Sequence, residues 1–133
     1  MNAMGFLAVG VGSVTGSWLR WWLGLRFNQV FPSLPLGTLA ANLIGGYVIG
    51  VALGLIVHGP GLSTTSRQLL MTGFCGGLTT FSTFSAEVFT AFSRGELAWG
   101  FSQIAIHVCG SLAATTAGFL SVRLAAGLLG AAA

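Results

Sequence analysis

The chain has 133 residues, of which 54% are hydrophobic and only 5% charged. Soluble domains carry about 25% charged residues, so this composition describes an integral membrane protein. The net charge of +3, with no lysine and no basic cluster, excludes a nucleic-acid interface.

Four segments reach the roughly 20 apolar residues that a helix needs to cross a bilayer. In chain order they are Ala3–Trp22, Thr38–Val57, Gln68–Phe92 and Ala98–Val122. The first lacks a basic leader and a clear small-residue cleavage motif, so it reads as a span and not as a removed signal. Trp18, Trp21 and Trp22 suit the membrane–water interface at its end. The connections are short: Asn28–Pro35 with two prolines, His58–Thr65 with a Gly-Pro-Gly turn, and Ser93–Glu96. No soluble domain fits between them, and residues 1–133 form one four-helix membrane domain.

Small residues recur every four positions: Ala8, Gly12 and Gly16 on the first helix, Gly46, Gly50 and Gly54 on the second, Gly110, Ala114 and Gly118 on the fourth. Such ladders let helix backbones approach closely. Cys75 and Cys109 both fall in apolar spans and read as small packing residues.

The arginines barely distinguish the two sides of the membrane. With the N-terminus inside, Arg67 and Arg123 lie on the cytoplasmic side and Arg26 and Arg94 outside, with Arg20 near the outer end of the first helix. Arginine asymmetry normally sets orientation. Its near absence predicts insertion in both directions. Four short helices also enclose too little space for a pore. Together these features predict an antiparallel, dual-topology homodimer.

The stretch Gly73-Phe-Cys-Gly-Gly-Leu-Thr-Thr-Phe-Ser-Thr-Phe-Ser-Ala-Glu87 carries three glycines and five hydroxyl residues within a span. Glycines loosen a helix. A membrane helix breaks only where the freed backbone faces protein, water or an ion. The third helix is therefore predicted to break mid-span, and a transport site to lie there. Phe81 and Phe84 share a face among Thr80, Ser82, Thr83 and Ser85, and the positive edge of a phenyl ring meets an anion without trapping it.

Other polar residues sit where lipid is expected. Asn42 either bonds a neighbouring helix or turns its amide into an ion path. Ser111 and Thr115 share one face of the fourth helix, with His107 one turn earlier, as a packing residue or a proton relay. Glu87 is the sole carboxylate inside a span, and intramembrane ionisable groups are functional candidates by default. Arg20 either concentrates anions at a vestibule or snorkels to water.

Taken together, Gly-Ser-Val-Thr-Gly-Ser-Trp-Leu-Arg20, Gly37-Thr-Leu-Ala-Ala-Asn42-Leu-Ile-Gly45 and the Gly73–Glu87 stretch resemble the Fluc (CrcB) family of fluoride ion channels, over nearly the whole chain. Ser17 and Trp21 depart from the residues common at those positions. The resemblance implies passive export of fluoride across the bacterial plasma (inner) membrane by a multi-pass, antiparallel homodimer with two pores. It implies a structural sodium ion at the dimer centre, held by the backbone carbonyls of Gly76 and Thr79. Phe81, Phe84 and the Asn42 amide would line the pores, Ser82, Thr83, Ser111 and Thr115 would supply hydroxyls, and Arg20 would stand at a vestibule. The rival reading is a proton-coupled exporter of cationic drugs, with Glu87 as its central carboxylate. An enzyme is not expected, because no nucleophile–base pair or metal cluster occurs.

Overall fold

A computed structural model describes residues 3–131, with side-chain environments through residue 128. The described chain is all-helical: α1 (Ala3–Phe27), α2 (Leu36–His58), α3 (Thr64–Arg67), a π-helical segment (Gln68–Cys75), α4 (Gly76–Leu78), α5 (Phe81–Ser93) and α6 (Leu97–Ala131). These make four helical stretches, the third assembled from α3 through α5. Two helices, α2 and Leu97–Leu128 of α6, are each long and apolar enough to cross a membrane.

The observed bounds differ from the sequence reading in ways that local chemistry explains. α1 runs on to Phe27, because nothing between Trp22 and Phe27 stops a helix. The interfacial tryptophans therefore lie within its last turns. α6 extends well past Val122, through a run of alanine and leucine that favours helix.

The third pass is not one regular helix. From Gln68 to Cys75 the backbone takes the wider π turn, a form most often found as short stretches at functional sites. The helical path stops at Leu78: Thr79 (φ −76°, ψ 154°) and Thr80 (φ −149°, ψ 115°) are extended, and α5 begins at Phe81. Thr80 caps α5, its hydroxyl oxygen accepting the Thr83 N–H at 3.1 Å.

The turns are built by their residues. Gly95 follows α5 with φ +78°. Its N–H bonds the Phe92 carbonyl at 3.0 Å while that of Glu96 reaches back to Ala91 at 2.9 Å, the paired closure that a left-handed glycine permits. At the start of α2, Pro35 offers no capping side chain. Asn28 from the preceding loop supplies the acceptor instead, taking the Thr38 N–H at 3.1 Å.

Packing follows the glycine ladders. The most extensive contacts are between α2 and α6, then between α1 and the π segment. A β-carbon at Gly50 would strike the Thr115 carbonyl oxygen, one at Gly118 the Tyr47 carbonyl, one at Gly12 the Leu69 carbonyl, and one at Gly16 the Phe74 carbonyl. Without a hydrophobic driving force in lipid, this backbone-to-backbone contact is what holds helices together. Leu23, Ala41 and Leu78 form the buried centre, with Leu19, Ala40 and Phe74 packed around them. Cys75 is buried and Cys109 exposed, both as free thiols.

Gly50→Ala is expected to destabilise the protein by about 1–3 kcal/mol, the usual cost of overpacking. Gly10→Ala, where a β-carbon meets nothing within 4 Å, is expected to be neutral or slightly stabilising. Thermal unfolding of both variants in detergent checks the pair.

Candidate functional site: a cavity beside the helix interruption

The extended residues Thr79 and Thr80 leave backbone groups without helical partners, and three side chains answer them. Asn42 of α2 accepts the Thr80 N–H on Oδ1 at 2.8 Å and donates Nδ2 to the Thr80 carbonyl at 3.3 Å. One amide thus satisfies both polar groups of one residue, as a neighbouring strand would. Arg20 of α1 donates Nε to the Gly77 carbonyl at 3.0 Å, and Ser17 adds its hydroxyl at 3.4 Å. A cation at the carbonyl end of a helical run also complements its dipole.

These exchanges have a consequence for two other carbonyls. In a continuous helix the Thr80 N–H would bond the Gly76 carbonyl and the Thr83 N–H the Thr79 carbonyl. Here the first goes to Asn42 and the second to the Thr80 hydroxyl. The Gly76 and Thr79 carbonyls thus lose their helical donors, as does the Gly77 carbonyl that Arg20 and Ser17 take up. A β-carbon at Gly76 would meet nothing within 4 Å, so its face is open.

A cavity of about 550 Å³ lies against this interruption. Asn42, Phe81, Phe84, His107, Ser111 and Thr115 all line it, as do Gly76 and Thr79. Phe84 is 8% exposed and Phe81 80%. The two rings stand 5.6 Å apart, and Phe84 lies 4.7 Å from the His107 ring at an angle of 32°. His107 is bonded to Asn42, Nδ1 to Nδ2, at 3.2 Å. Since the Asn42 oxygen is committed to the Thr80 N–H, its NH2 is the donor here and Nδ1 the acceptor. Thr115 donates its hydroxyl to the Ser111 carbonyl one turn back, at 2.9 Å.

The remaining candidates lie elsewhere. Ser82 is exposed and Thr83 half-buried. Both hydroxyls bond the Thr80 hydroxyl, at 3.3 and 3.0 Å. Thr83 lines two further cavities, one with Arg20 and one with Glu87. Glu87 does not reach the cavity of the phenylalanines. It accepts a hydrogen bond from the Thr38 hydroxyl at 2.6 Å. Arg20 is half-buried and lines a third cavity with Asn28 and Thr38.

Sequence reasoning gave no bonding role to Thr80, Thr38, Ser17 or Gln103. Thr80 had a signal: a hydroxyl residue three before Thr83 and directly before an apolar helical run is a helix start. Gln103 stood out as a lone amide in an apolar span. Thr38 and Ser17 had none, because their partners are distant in sequence.

No trio of His, Cys, Asp or Glu side chains able to hold a metal occurs among the described residues. What the site offers is neutral donors, ring edges and carbonyl oxygens along a largely apolar wall. Residues 7–119 match the family described as CrcB-like protein, Camphor Resistance (CrcB). Among curated relatives, a "Fluoride-specific ion channel FluC" of Chromobacterium violaceum is 59% identical, over 86% of this chain and 91% of its own. One of the same description from Pseudomonas putida is 53% identical over 91% and 95%, and one from Nitrosomonas europaea 56% over 87% and 91%. The chain belongs to the CrcB family.

The Asn42 clamp sets a stability expectation. Asn42→Ala strands the Thr80 N–H and carbonyl in an apolar setting, at about 1–3 kcal/mol for an unsatisfied buried group. Its melting temperature is expected to fall well below that of Ser111→Ala.

Proposed function

We propose that the chain is a fluoride-selective channel that lets fluoride leave the cytoplasm passively across the bacterial plasma membrane. The observation that carries this reading is the single cavity holding Asn42, Phe81, Phe84, His107, Ser111 and Thr115. Fluoride is small and strongly hydrated. A pore for it has to replace that shell with donors and ring edges, yet hold the ion weakly enough to release it. The two phenyl rings sit among hydroxyl and amide groups. Arg20 lines a different cavity, so this wall carries no arginine to trap an anion.

The working unit is an antiparallel homodimer with two pores. The arginine distribution supports dual insertion. Phe81, 80% exposed in one chain, and the open face of Gly76 support a second copy beyond them. A structural sodium ion at the centre of that dimer fits the residues present. The N–H groups that would bond the Gly76 and Thr79 carbonyls in a continuous helix are bonded elsewhere, and neutral oxygens suit a hard monovalent cation. When bound, the ion would satisfy those carbonyls from both copies and tie the two interrupted helices together.

The proton-coupled exporter reading needs a carboxylate in the aromatic cavity, and Glu87 lies outside it, bonded to Thr38. Channel chemistry is therefore preferred to exchange, and to any enzymatic role.

Four measurements test the proposal. In liposomes, fluoride efflux is expected to exceed chloride efflux by at least tenfold, and equal rates would overturn the reading. Phe81→Ile and Phe84→Ile remove the positive ring edge while keeping the site apolar. Each is expected to cut fluoride flux strongly in a dimer that stays folded. Gly76→Val is expected to disrupt dimerisation and sodium dependence together. A pair of lysines inserted after Val122 is expected to fix one orientation and abolish flux. Co-expression with an oppositely fixed form should restore it.

A further inference from the structure

One polar ring beside the cavity of the phenylalanines is paired on one side only. His107 of α6 is 4% exposed. Its Nδ1 is bonded to Asn42 Nδ2 at 3.2 Å. That nitrogen is the donor, because the oxygen of the same amide takes the Thr80 N–H at 2.8 Å. With Nδ1 accepting, the proton of the imidazole sits on Nε2. Nε2 is buried and has no hydrogen-bond partner. It is shielded from the cavity, so the ring offers no donor to an ion there. Nor is the ring a proton relay, since one nitrogen meets an amide NH2 and the other has no partner.

An unpaired buried N–H is costly, and an apolar side chain would fill the same space without it. What distinguishes the imidazole is the pair of neighbours that it joins. On one side stands Asn42, which cannot turn, because its two ends hold the N–H and the carbonyl of Thr80. On the other stands Phe84, its ring 4.7 Å from that of His107 and inclined by only 32°. Two rings at this distance and tilt meet largely face to face. The imidazole therefore covers one negative face of Phe84 and leaves the positive edge to border the cavity. Were Phe84 to swing away, that face would confront an approaching anion and repel it. Orientation thus passes from the interrupted backbone to an amide, from the amide to the imidazole, and from the imidazole to the phenyl ring.

We infer that His107 is a positioning residue for the ion path: locked by Asn42 as the tautomer protonated on Nε2, it holds the Phe84 ring with its edge toward the cavity. The role rests on the channel reading and deepens it. His107 does not touch the ion and acts through Phe84 alone.

Solid-state NMR of the full chain in lipid bilayers tests the first link, with labelled imidazole nitrogens and His58→Gln to remove the signal of the other histidine. The expected signature is a bare Nδ1 and a protonated Nε2. The opposite tautomer, or a mixture of the two, would overturn the inference. Fluoride efflux from liposomes tests the second link. His107→Leu removes the ring and the acceptor while keeping the space filled. It is expected to lower efflux at least fivefold without lowering the melting temperature, because it also deletes the unpaired N–H. His107→Phe returns a flat ring to Phe84 and is expected to conduct at least threefold faster than His107→Leu. Should His107→Leu fail to fold, His107→Met takes its place in both comparisons. Efflux equal to that of the wild type, or a loss that the phenylalanine does not relieve, would overturn the role. So would a loss that runs in parallel with a falling melting temperature, which is what packing alone would give. The wild type separates the two ideas: if it passes no fluoride selectively, the channel is refuted and this role with it, whereas selective wild-type efflux with an unaltered His107→Leu refutes the role alone.

Discussion

Asn42 donates to and accepts from the same residue, Thr80, and the architecture around the cavity depends on that pair of bonds. A span cannot stop being helical in hydrocarbon unless its freed backbone finds partners. Asn42 supplies two of them at 2.8 and 3.3 Å, and its amide then fixes the ring of His107 through the remaining donor. Arg20 and Ser17 satisfy the Gly77 carbonyl from the opposite side. Side chains of α1 and α2 thus hold the interruption, one at each of its ends, and the cavity inherits its shape from them.

This arrangement joins stability to function through the same groups. Asn42 is simultaneously a structural clamp and a wall of the cavity. Removing it weakens the backbone and alters the lining together, so a flux measurement on that variant alone reports a mixture of effects. Phe81 differs in this respect: it is 80% exposed in the single chain, and little of the chain's own packing rests on it.

Much of the helical arrangement was legible in the sequence, because the signals were periodic. Glycines four apart marked the faces of α2 and α6 that meet, and Gly50 and Gly118 do sit against backbone carbonyls. Ser111 and Thr115 share a face for the same reason, and both reach the cavity with His107. Phe81 and Phe84, three apart, also fall together, whereas Ser82 and Thr83 between them turn elsewhere, as helical spacing dictates. What periodicity does not encode is the partner of a polar side chain. Asn42 was visible as a polar residue in lipid, but not that it would bond a backbone 38 positions away. The Thr38–Glu87 bond spans 49 positions and gave no local sign. The π-helical turns over Gln68–Cys75, a segment that packs chiefly on α1, were equally silent.

The pairing of α2 with α6 bears on how the chain is made. The two helices form the most extensive contact in the protein, yet α2 ends at His58 and α6 begins at Leu97. During synthesis α2 enters the bilayer long before its partner has left the ribosome. Its glycine face must wait against lipid, where small residues bury little and attract little. Insertion and assembly are therefore separate events for this chain. The last helix to emerge closes the structure, and a nascent chain halted after α5 has its spans in place but no completed cavity wall.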